Sequence, residues 1–100
     1  MKNIYYIPIK QKINSYIDLD NSSRAFQECF WSWSVARGVN GCYKEFQEVI
    51  KNIDLDTIPS EVLFDLIYDY RYQKQTYNRY KKGYANGERE ILRALLPKTQ

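Results

Sequence analysis

Counted in heptads from Leu63, the first and fourth places of residues 63–94 are Leu63, Leu66, Tyr70, Gln73, Tyr77, Tyr80, Tyr84, Gly87, Ile91 and Ala94, and eight of the ten are apolar or aromatic. A period sustained over that length commits the C-terminal third of the chain to a long helix with one apolar seam. The acids, Thr57, Pro59 and Ser60 of "DLDTIPSE" supply the residue types that open such a helix, and Pro97 ends it. Gly83 and Gly87 lie inside the run and each costs about 1 kcal/mol relative to alanine in a helix, so a break near Gly83 stays open as an alternative.

The same period appears earlier. Phe26, Cys29, Phe30, Trp33 and Ala36 recur at three and four residues, which predicts a helix from Ser23 with Gly38 as its stop. Tyr43, Phe46, Val49, Ile50 and Ile53 predict a second helix over about 42–52, with Asn40–Gly41 as the connecting turn. At the N-terminus, "NIYYIPI" is β-branched and aromatic and contains Pro8, which suits an edge strand or extended arm. The expected fold is a single mainly α domain over residues 1–100. It has three to four helices, an extended N-terminal segment and a long, Tyr-rich, basic C-terminal helix.

A composition of 44% hydrophobic and 27% charged residues fits a folded globule and excludes the low-hydrophobicity signature of disorder. The apolar stretch in "MKNIYYIPIK" is too short for a signal-peptide core or a membrane span, which predicts a cytoplasmic protein without membrane contact. Cys29 and Cys42, the two cysteines, both fall in helical pattern and read as a reduced, packed pair.

Charge is strongly segregated. Residues 1–70 carry seven Lys/Arg against ten Asp/Glu, a net −3, whereas residues 71–100 carry eight against two, a net +6. Residues 68–84, "YDYRYQKQTYNRYKKGY", hold six of the ten tyrosines and five of the fifteen basic residues. The heptad register turns Tyr70, Tyr77, Tyr80 and Tyr84 inward and leaves Tyr68 and Tyr72 on the far side, in line with Arg79 and Lys82. The expected partner-binding face is therefore Tyr68, Arg71, Tyr72, Lys74, Arg79, Lys81 and Lys82. Trp31, about 160° from the Phe26–Trp33 face, is either covered or a second anchor.

No histidine occurs, which removes the usual general base, Ser–His and Cys–His nucleophile pairs and every His-containing metal site. No CxxC, GxGxxG or Walker-type loop is present. The pairs Asp18/Asp20, Asp54/Asp56 and Glu88/Glu90 sit where caps and solvated helix faces are expected. The expectation is a protein that is not an enzyme and uses no cofactor or metal.

A short, histidine-free, Tyr-, Asn-, Lys- and Ile-rich chain that opens "MKNIYYIPIK" and closes on "YNRYKKGYANGEREIL" resembles bacteriophage accessory proteins, and most of all the lambdoid phage anti-RecBCD proteins. The resemblance implies a non-catalytic ligand of the host recombination nuclease RecBCD, bound through RecC, with a host prolyl isomerase as a further partner at Ile58–Pro59. The alternatives on the residues alone are a nucleic-acid binder using the basic tyrosine-rich helix, a toxin-neutralising immunity protein, and a self-associating scaffold.

Overall fold

The computed structural model describes residues 2–74 and 87–96, and among these every regular element is helical. In chain order they are α1 (Lys2–Ile13), a 3-10 turn (Leu19–Asn21), α2 (Arg24–Ile50), α3 (Ser60–Lys74) and the helical residues 87–93, here α4. The mainly α, small-domain expectation holds. α2 runs through the middle, with α1 and α3 both packed on it.

The N-terminal segment is a correction: it is helical where an extended arm was expected, with Pro8 inside the helix. A proline in a helix interior removes one backbone bond and costs about 3 kcal/mol. Ile9 and Ile13, one turn apart, are fully buried against α2, and burial is worth about 1.5–3 kcal/mol for each such side chain. The two terms offset, so tertiary packing holds a helix that local preference disfavours. Lys10 and Tyr6 then tie α1 to the following turn through Asp20, at 2.9 and 3.0 Å.

α2 opens on Ser23, whose hydroxyl accepts from the Phe26 amide. Gln27 reaches back to donate to the carbonyls of Leu19, Asp20 and Ser22 and closes the 3-10 turn over the buried Leu19. The predicted stop at Gly38 is real: its φ of 78° and ψ of 159° are non-helical and break α2 in two. The predicted turn at Asn40–Gly41 is not, because the helix resumes directly after Gly38. A straight helix of 27 residues would span roughly 40 Å, longer than the molecule's greatest extent of 34 Å. The break instead folds the second half back, setting Phe46 edge-on to Phe30 at 5.1 Å and to Trp33 at 6.5 Å.

α3 starts where expected, with the Pro59 carbonyl accepting from the amides of Val62 and Leu63 at 3.1 Å. Its inner face differs from the heptad seam. Leu63, Phe64, Ile67, Tyr68 and Arg71 are buried, while Leu66 is 37% exposed and Gln73 is exposed. Phe64 decides the rotation: its ring packs on Phe26 at 5.9 Å and on Tyr68 at 4.9 Å, and turning it outward would cost more than exposing one leucine. The seam places at Tyr77, Tyr80 and Tyr84, and the question of a break at Gly83, lie outside the described residues.

Candidate functional site

The most concentrated polar chemistry lies where α4 meets α2 and α3. Glu88 of α4 accepts from Ser32 Oγ of α2 at 2.6 Å, and from Tyr68 OH and Arg71 Nη1 of α3, the latter at 3.1 Å. Arg71 Nη2 also reaches Ser32 Oγ at 3.4 Å. The Arg71 guanidinium stacks near the rings of Tyr68 and Trp33, at 5.0 and 5.9 Å. A cation that is only 5% exposed is tolerable because one carboxylate answers it.

The protonation states follow from this packing. Burial drives the Tyr68 phenol far above its ordinary value, with Cys29 and Glu88 adding to the shift, so its hydroxyl stays a donor. Burial works against the Arg71 cation, but Cys29, Tyr68 and Glu88 more than offset it and its pKa lies above the ordinary value. Cys29, beneath the cluster, is pushed up to about 11 by burial, against the opposing pull of Arg71. Cys42 is pushed up to about 12 by burial, the Ser34 hydroxyl pulling the other way. Both cysteines are free and buried, as the sequence led us to expect, and both are neutral thiols poorly suited to attack.

Two ion pairs bind α4 along α3 in antiparallel rungs, the mostly buried Arg89 to Asp69 at 2.8 Å and Arg93 to Asp65 at 2.5 Å. A buried carboxylate, Glu45, spans the break in α2. It accepts from Trp33 Nε1 at 2.8 Å and from Arg37 Nε and Nη2 at 3.0 and 2.9 Å.

Two of the expected face residues are therefore corrected: Tyr68 and Arg71 lie inside the molecule. Both turn inward because Ser32 and Glu88, distant in sequence, complete their hydrogen bonds, a pairing that spacing along one helix does not reveal. Tyr72 and Trp31 are half-buried. The side chain of Lys74, with Arg79, Lys81 and Lys82, lies outside the described residues. Pro59 is exposed, and no cis peptide bond occurs among the described residues. The acids Asp18, Asp20 and Asp54 serve the turns they sit in.

Among the described residues no three His, Cys, Asp or Glu side chains are grouped to hold a metal ion, and no helix is long and apolar enough to cross a membrane. The donors of Ser32, Tyr68 and Arg71 converge on one partly buried carboxylate. No protein-family model, curated protein or solved structure matches the chain. The class that fold and site define is a small α-helical protein in which a buried guanidinium is clasped by a partly buried carboxylate.

Proposed function

We propose that the protein is a non-catalytic, protein-binding modulator of an enzyme. The observation that carries this reading is the outer side of α3, where Val62 and Leu66, one turn apart, are 43% and 37% exposed. Aliphatic groups presented together on a helix suit a protein partner. Asp65 and Asp69, on the adjoining flank of the same helix, neutralise Arg93 and Arg89, so this side of α3 presents no free cation row for phosphate among the described residues. Arg71, Arg89 and Arg93 are engaged within the molecule, so the acid-free stretch 74–84, with Lys74, Arg79, Lys81 and Lys82, is the remaining source of steering charge.

The resemblance of the sequence to anti-RecBCD accessory proteins makes RecBCD, through RecC, the first partner to measure, and Ile58–Pro59 the place to look for a prolyl isomerase. Purified protein is titrated against RecBCD, with Val62→Ser/Leu66→Ser and, separately, Arg79→Glu/Lys82→Glu. Loss of about tenfold or more in affinity with unchanged melting temperature is expected for the α3 pair, since an apolar interface anchor is worth more than 1 kcal/mol. Unaltered binding by both variants, or retention of DNA at about 50 mM salt with the slope of several phosphate contacts, refutes it.

A further inference from the structure

The clasp at Glu88 has the form of a receptor and its ligand. Ser32, Tyr68 and Arg71 come from α2 and α3, which pack on each other without α4, and all three donate to the two oxygens of one carboxylate. That carboxylate is carried by a segment with a slight apolar anchor. Of residues 87–96 only Leu92 is buried, Leu96 is partly so, and Ile91 is 72% exposed. The flanking pairs Arg89–Asp69 and Arg93–Asp65 have carboxylates that are 57% and 41% exposed, so they add little to that anchor. Simple departure of Glu88 is costly, because it strands the buried Arg71 cation. Replacement by another anion avoids that cost.

We propose that Ser32, Tyr68 and Arg71 form a carboxylate receptor that Glu88 occupies in cis and can surrender to a carboxylate from outside the chain. An acidic segment of a partner supplies that chemistry, a clause that rests on the protein-binding reading above. Carboxylate fits better than phosphate. The donors address two oxygens of one planar group, with the Trp33 and Tyr68 rings against Arg71 and the Arg89 guanidinium, already paired to Asp69, over the Tyr68 ring at 5.8 Å.

The test is chemical rescue in the full chain. Glu88→Ala deletes the equivalent of one acetate, and sodium acetate is titrated against sodium chloride at matched ionic strength while the melting temperature is followed. At acetate concentrations several times its dissociation constant, a gain of about 3–8 °C over chloride is expected for the variant, with none for the wild type, whose receptor is filled. Arg71→Leu/Glu88→Ala should show no acetate-specific gain. If Glu88→Ala does not fold in chloride, the same titration reads recovery of its helical circular dichroism, which acetate should restore and chloride should not. Equal effects of acetate and chloride overturn the receptor, as does a gain that survives loss of Arg71. An equal gain with inorganic phosphate overturns the carboxylate assignment. No partner enters this experiment, so its failure is distinct from failure of the RecBCD titration.

Discussion

Replacing Gly38 with alanine isolates the backbone term that lets α2 fold back on itself. At φ 78° and ψ 159° the residue occupies a region open essentially to glycine alone, and holding a side-chain-bearing residue there costs about 1–3 kcal/mol. Steric contact adds nothing, since a Cβ at Gly38 would meet no atom within 4 Å. Alanine's advantage of about 1 kcal/mol over glycine applies to helical geometry, which Gly38 lacks. With about 4–8 °C lost per kcal/mol in a domain of this size, Gly38→Ala should lower the melting temperature by about 5–20 °C.

Gly41→Ala is the internal control. Gly41 is helical, and its Cβ would meet Arg37 Cβ at 3.3 Å, so a propensity gain of about 1 kcal/mol is partly cancelled by a small adjustment. The assay is thermal unfolding followed by circular dichroism, with tryptophan emission as a second probe, because straightening α2 would expose Trp33. A Gly38→Ala protein that melts at or above wild type would refute the reasoning, since the break would then not depend on glycine.

Phe46→Ala removes the ring that meets Tyr16, Phe30 and Trp33, and should cost about 3–5 kcal/mol as a fall in urea midpoint with unchanged slope. Glu45→Ala strands the Trp33 indole N–H and should cost about 1–3 kcal/mol; a double-mutant cycle with Trp33→Phe should then show coupling of at least about 0.5 kcal/mol. The buried thiols of Cys29 and Cys42 have pKa values raised from 9.0 to about 11 and about 12, so their contribution is complete below pH 9 and drains as pH rises toward 11–12. Between pH 9 and 10, melting temperature should fall in wild type and less in Cys29→Ala/Cys42→Ala; equal slopes would remove the thiols as the cause.

The sequence alone was enough to determine the helical class, a helix from Ser23 with a stop at Gly38, the opening of α3 near "DLDTIPSE" and the buried cysteine pair. These features are local: a period of three to four, a capping hydroxyl and a glycine just past an apolar stripe each report on neighbours within a turn or two. Where the local signal was a breaker, tertiary burial could still overrule it. Pro8 reads as the mark of an edge strand or extended arm, and only the fit of Ile9 and Ile13 against α2 shows why a helix continues through it.

Tertiary structure alone decided which side of α3 faces inward and what its polar groups are for. A heptad count puts Leu66 and Tyr70 on the seam and Phe64 and Ile67 off it, and cannot know that Phe26 waits opposite Phe64. Tyr68 and Arg71 look like surface residues because a phenol and a guanidinium usually need water. They are buried here because Glu88, twenty and seventeen positions away, brings a carboxylate to them, and such a partner is a matter of chain topology rather than of spacing along a helix.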